Sequence, residues 1–296
     1  MSGMRRERNP DRHLANEAQV GWALAFAISL SLIGCSGADG AVTTSSSQPT
    51  TTSSISTTTT SISTTTSAPT STSTMSAAAL EGATIVLDPG HNGMNWAHPQ
   101  EINEVVDIGN GTKACNTTGT STEDGYAEAE FNWEVAVLAR SRLEALGATV
   151  LLTRLDNDGW GPCITERAAT GNRAGADAVI SIHADGGPAE GRGFHVIHPA
   201  VVEGLTDDIA EESLRLARAL HRAYQETGMP LADYIATGGF SERDDLGGLN
   251  LSDVPVVFLE AGNMRNETDA ALLTDPEFQE EVAVAIVTAL IDFLRG

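Results

Sequence analysis

The chain has 296 residues, of which 41% are apolar and only 19% charged, with 17 basic and 40 acidic side chains giving a formal net charge of −23. At roughly 150 residues per domain this allows one or two domains, and the apolar content excludes a fibrous or wholly disordered chain. So acidic a surface repels phosphate backbones and argues against nucleic acid as a partner.

From the N-terminus, Arg5, Arg6, Arg8 and Arg12 precede an apolar run from Val20 to Ile33. At 14 residues the run is too short for an ordinary membrane-spanning helix of about 20, and it suits the apolar core of a signal peptide. It closes in Leu32-Ile33-Gly34-Cys35, which resembles the processing box of bacterial lipoproteins, where cleavage before the Cys accompanies lipidation of its thiol. On that reading residues 1–34 are a signal peptide and Cys35 carries the membrane anchor. Several acyl chains on one Cys hold far more firmly than a single chain does. Of the 34 residues in 43–76, 27 are Ser or Thr. Such a tract cannot bury enough surface to offset its ordering entropy, so residues 35–79 are predicted to be a disordered tether behind the lipid.

The rest, residues 80–296, alternates strand and helix. Thr84-Ile85-Val86-Leu87 is a β-branched apolar run stopped by Asp88-Pro89-Gly90. Phe131, Val135, Leu138, Leu143 and Leu146 recur at helical spacing over 128–146. A strand follows Gly147 at 149–152, then a short helix over 164–174 and strands at 178–182 and 193–197. A longer helix over 207–225 carries Ile209, Leu214, Leu216 and Leu220. A strand at 255–259 and a final helix over 276–294, opened by Pro276, complete the pattern. Continuous apolar strands between helices predict a single α/β layered domain, a mostly parallel twisted sheet with helices on both faces. Two long loops, 91–125 and 232–254, are of a length usually kept for function. With Cys35 assigned to lipid, Cys115 and Cys163 form an even pair in an exported domain and predict a disulfide. Its loop of about 48 residues is worth about 4 kcal/mol in the chain-entropy picture.

The chemistry gathers where strands end. Asp88-Pro89-Gly90-His91 sets a His just past the first strand, and Ser181-Ile182-His183-Ala184-Asp185 sets another past the third. In an open α/β sheet such positions share one crevice. Glu128 opens the first long helix and can face the same edge. Two His and one carboxylate are a zinc ligand set that keeps a position open for water. Glu260 closes the apolar run Val256–Leu259, a costly place for a carboxylate unless it faces a cleft or a partner. There it would serve as a general base.

These segments resemble the zinc-dependent N-acetylmuramoyl-L-alanine amidases of the amidase-3 family. The stretches that carry the likeness are Ile85–His91, Glu128 with Asn132 and Val135-Ala136, Thr153-Arg154 with Arg167 and Asn172, Ser181–Asp185, and Phe258–Asn263. They stand in the family's order. The resemblance implies one zinc ion per chain held by His91, Glu128 and His183, and Glu260 as the base. It also implies peptidoglycan as substrate, cut at the amide between N-acetylmuramic acid and the L-Ala of the stem peptide. Counting back from Asn132-Trp133 selects Glu128 as the ligand, with Glu130 the runner-up. The pairing of Cys115 with Cys163 resembles a mycobacterial-type subgroup. No long insert stands between Gly147 and His183 and no wall-binding repeats are visible, so retention falls to Cys35 and a monomer is expected. Two other readings compete: a different zinc hydrolase, peptidase or deacetylase, and an inactive wall-binding relative. Retention of all four site residues argues against the second.

Overall fold

In the computed structural model, which describes residues 78–296, the first element is β1 (Thr84–Pro89), buried from Ile85 onward. The long loop after it holds a single 3₁₀ turn at Asn95–Ala97, a one-turn helix α1 (Pro99–Ile102) and an antiparallel hairpin of β2 (Val105–Asp107) and β3 (Thr112–Ala114). Then come α2 (Glu128–Ala145), β4 (Thr149–Leu152), α3 (Ile164–Ala174), β5 (Ala178–Asp185), β6 (His195–Pro199) and α4 (Ala210–Gln225). The second long loop contains β7 (Phe240–Arg243) and α5 (Gly247–Asn250). The chain closes with β8 (Val256–Asn263), α6 (Glu267–Leu273) and α7 (Pro276–Arg295). The signal peptide, Cys35 and the Ser/Thr-rich tether lie outside the described residues.

Six strands form one sheet in the order β4-β1-β5-β8-β6-β7. The first four run parallel; β6 lies antiparallel to β8, and β7 follows β6 in parallel. The sheet is therefore mostly parallel, with a reversed pair at one edge. Alternation along each strand divides the core. Ile85, Leu87, Ile180, Ile182, Val257 and Leu259 face one side and pack against α2, α4 and α7. Val86, Val179, Val256 and Leu249 form a smaller cluster on the other, where α3 and α5 sit. Helices cover both faces, as the sequence pattern predicts.

Local rules explain most boundaries. Gly175 ends α3 in the left-handed conformation (φ 55°), with its N–H on the Asn172 carbonyl. Asp275 caps α7 by accepting from the Glu277 N–H at 2.9 Å, and Pro276 takes the first turn. Strands β5 and β8 continue to Asp185 and Asn263, past the apolar runs that end at Ile182 and Leu259. Their polar ends stay in the ladder, where His183 pairs with Glu260. Helix α4 starts at Ala210 rather than 207. The short elements α1, α5, α6, β2, β3 and β7 carry no periodicity long enough to read.

Candidate metal centre

Three side chains converge where β1 and β5 end and α2 begins. His91 follows β1 with φ 58°, a left-handed conformation that costs a non-glycine residue about 1–3 kcal/mol and persists only where its surroundings over-determine it. They do. Arg167 Nη2 donates to the His91 carbonyl at 2.6 Å, and Asn132 Nδ2 donates to the Gly90 carbonyl at 3.3 Å. The Gly90 N–H bonds the Ile182 carbonyl at 3.0 Å. Gly90 has a steric task as well: a Cβ there would stand 2.1 Å from the His183 ring.

His91 Nδ1 lies 3.0 Å from the Thr117 carbonyl. A carbonyl can only accept, so Nδ1 carries a hydrogen, which leaves Nε2 as the nitrogen that a metal could take once its own proton is lost. That nitrogen is 3.0 Å from Glu128 Oε1, and His183 Nδ1 is 2.9 Å from the same oxygen. Glu128, the first residue of α2, is buried; its Oε2 accepts from the Thr120 N–H at 2.9 Å and its Oε1 from the Ala184 N–H at 3.3 Å. Phe258 stacks on the outer side of His183, centroids 5.4 Å apart. Glu130, the runner-up ligand, is exposed.

The charges are coupled. Burial pushes the Glu128 carboxyl up, but the His91 charge and the hydrogen bonds from both imidazoles outweigh it and hold the group well below the usual carboxylate range. Burial pulls His91 down, and the Glu128 charge more than reverses this. Protons on the imidazoles thus answer the carboxylate, and a dication would compete with them for the same place.

The donor set fits zinc. Among the described residues, His91, Glu128 and His183 are the group whose ligand atoms all lie within 4.8 Å of one another. Tetrahedral ligands at about 2.0–2.1 Å from an ion stand roughly 3.3 Å apart, close to the spacings seen here. Two imidazole nitrogens and a carboxylate oxygen leave a fourth position open. The cluster lines a cavity of about 570 Å³, and Glu260 lines it too. On β8, Glu260 sits between His183 of β5 and His195 of β6 in the ladder. Burial, then the negative Asp185 and Glu128, push its carboxyl well above the ordinary value.

Residues the sequence reading left without a role surround this cluster. Asp88, at the buried end of β1, bonds Arg167 at 2.6 Å, Ser181 at 2.6 Å and Thr153 at 2.5 Å. Burial would raise its carboxyl, but the Arg167 charge and these hydrogen bonds lower it to about 2. Arg154 donates to the carbonyls of Pro89 at 2.9 Å and Ala129 at 2.7 Å, joining β1 to the start of α2. The signal was present: a charged residue ending an apolar strand needs a buried partner. Cys115 and Cys163 are free thiols in this structure, where the sequence predicts a disulfide. Burial, then the neighbouring Cys163 thiol, pushes the Cys115 thiol up to about 12.

The family described as N-acetylmuramoyl-L-alanine amidase matches residues 85–292. The N-acetylmuramoyl-L-alanine amidase Rv3717 of Mycobacterium tuberculosis is 41% identical over 223 residues, which is 75% of this chain and 90% of that protein. Among solved structures, the N-acetylmuramyl-L-alanine amidase Ami1 of Mycobacterium smegmatis superposes with a TM-score of 0.69 at 40% identity, covering 73% of this chain and 98% of that one. The apo form of Ami1 from Mycobacterium abscessus gives 0.68 at 44% identity, with 72% and 99% covered.

Proposed function

This chain belongs to the N-acetylmuramoyl-L-alanine amidase family, and we propose that it hydrolyses the amide between the lactyl group of N-acetylmuramic acid and the L-Ala of the peptidoglycan stem peptide. The observation that carries this reading is the convergence of His91 Nε2, Glu128 Oε1 and His183 Nδ1 on one cavity wall, with Glu260 on the adjoining strand. Zinc bound by those three side chains would supply a Lewis acid and acidify a water toward a pKa of about 7. The protein's own residues do the rest. Thr117 fixes the His91 tautomer, and the Thr120 and Ala184 amides hold Glu128 in place. Glu260 accepts the proton of the attacking water and delivers it to the departing L-Ala nitrogen, so the bond that breaks leaves a neutral amine.

Residues 80–296 are the catalytic domain on this reading. Residues 1–34 direct export, and lipidated Cys35 with its tether holds the domain on the outer face of the membrane, within reach of peptidoglycan. Cys115 and Cys163, free thiols here, join in that oxidising compartment.

Digestion of purified peptidoglycan is the test. Free stem peptides beginning with L-Ala, together with one zinc per chain by elemental analysis, support the amidase. Cuts within the peptide, or deacetylated glycan, would point to a different zinc hydrolase. Mass spectrometry of the native protein should find a lipidated Cys35 as its first residue; an unlipidated or different start contradicts the anchor.

A further inference from the structure

The cavity that holds the metal cluster is also lined by two cations that the chemistry above leaves idle, Lys113 and Arg243. In a chain of net charge −23, Lys113 is the only lysine. The two come from the two long loops: Lys113 is the middle residue of β3 and Arg243 the last of β7. Asn110 pins those loops together. Its Nδ2 donates to the Asp244 carbonyl at 2.7 Å, and its Oδ1 accepts from Asn250 Nδ2 at 2.8 Å. One carboxylate lies between the cations. Asp245 accepts from Lys113 Nζ at 2.9 Å and from Arg243 Nε and Nη2 at 2.7 and 2.9 Å. Two positive charges thus share one negative charge and leave an excess of positive charge on the cavity wall. Lys113 has three N–H donors and Arg243 five, and Asp245 takes only a minority of them. The rest have no protein partner among the described residues, and all three side chains are partly exposed. The Arg243 charge bears on Glu260, so this wall stands within electrostatic reach of the reacting end of the cavity.

We infer that Lys113 and Arg243 form a carboxylate-binding subsite that takes the free α-carboxylate of the second stem-peptide residue, the D-Glu that follows L-Ala. The inference rests on the amidase reading and deepens it by naming what the cavity selects. Spare N–H donors on two cations fit an anion. That anion belongs to the peptide side of the cut bond. On the glycan side the lactyl carboxyl is tied up in the amide itself, and the sugar hydroxyls and acetamido group are neutral. The D-Glu continues the stem through its γ-carboxyl, which leaves its α-carboxyl as the first carboxylate past the scissile amide. The other walls do not hold an anion. Glu128, Asp185 and Glu260 line them with acid, and Arg167, the remaining Arg of the lining, is spent on Asp88 and the His91 carbonyl. One cavity of about 570 Å³ contains both the metal cluster and the cation pair. That is room for a few residues, so a carboxylate held by the pair lies close to the bond that breaks. Asp245 keeps both cations in place before substrate arrives.

Two N-acetylmuramoyl tripeptides test this, each L-Ala-γ-D-Glu-L-Lys with its C-terminus amidated. They differ only at the D-Glu α-carboxyl, which is free in one and a carboxamide in the other. The zinc-loaded full chain should cut the free acid with a kcat/KM about 5- to 20-fold higher, the difference lying in KM. That ratio should shrink as ionic strength rises, because the cations are partly exposed. Lys113→Met and Arg243→Gln should each lower it by about 3-fold or more, and Lys113→Arg should keep most of it. A merely structural ion pair gives a different result: its loss loosens the loops, slows both probes alike and leaves the ratio unchanged. A wild-type ratio near one, or a ratio that neither substitution alters, overturns the subsite. If the wild-type chain cuts neither probe, the amidase reading fails, and calorimetric binding of the two free tripeptides still decides the subsite. Tighter binding of the acid that Lys113→Met removes supports it; equal binding, or an advantage that survives the substitution, overturns it.

Discussion

The two faces of the sheet divide the work. On one, α2, α4 and α7 lay Phe131, Val135, Leu216, Leu220, Ile286 and Leu290 onto fully buried strand residues. On the other, α3 and α5 cover a smaller apolar cluster, and the same strands present Asp88, Ser181, His183 and Glu260. The first face is non-directional burial, which tolerates any apolar shape of the right volume. The second is a set of paired charges that works only when every partner is present. Helix α2 links them: its body packs on the apolar face while its first residue, Glu128, reaches His91 and His183.

Removing a partner from the polar face should do the most damage. Arg167→Ala leaves Asp88 buried without its counter-charge, at a cost of about 3–5 kcal/mol. It also frees the His91 carbonyl, which should weaken zinc binding about 10- to 100-fold. Urea unfolding and zinc titration read the two effects; near-normal values in both would mean that this network does not set His91. Next in size is the Cys115–Cys163 bond, worth about 4 kcal/mol when formed. Thiol titration of the unreduced, unfolded protein should find neither cysteine free, and two reactive thiols refute the bond.

The apolar face makes the contrasting case. Leu290→Ala should cost about 3 kcal/mol through the cavity it leaves, with zinc content and turnover per folded molecule unchanged. A fall in turnover would show that the faces are coupled. The smallest effect is on pH. Asp88 is lowered from 3.8 to about 2 in the fold, so its contribution is complete above pH 4 and disappears as pH falls through about 2. A shift of that size corresponds to about 2 kcal/mol. Asp88→Asn should flatten the Tm profile between pH 5 and 2, whereas Leu290→Ala should only lower it.

The division also explains what the sequence could disclose. The apolar face is periodic: Phe131, Val135 and Leu143 on α2, and the runs of β1, β5 and β8, follow from spacing alone. Helix α3 was readable to its bounds because Gly175 ends it. His91, His183 and Glu260 drew notice because each stands where an apolar run stops, and Glu128 because it opens α2. The roles of Asp88, Arg154 and Arg167 were not visible, because each depends on partners far away in the chain; Arg167 meets the His91 carbonyl across 76 residues. The hairpin β2–β3 and strand β7 escaped for a different reason: they are short and none of their residues is buried, so no apolar run marks them.

The account stands most directly on the separation of metal holding from proton transfer. Zinc content of purified Glu260→Ala, by elemental analysis beside its muropeptide release, tests it. The account predicts a folded protein with one zinc per chain, because His91, Glu128 and His183 remain, and activity down by on the order of 10²-fold or more. His183→Ala, prepared in parallel, should lose metal and activity together. A folded Glu260→Ala without zinc, or one with zinc and near-normal turnover, would contradict the assignment.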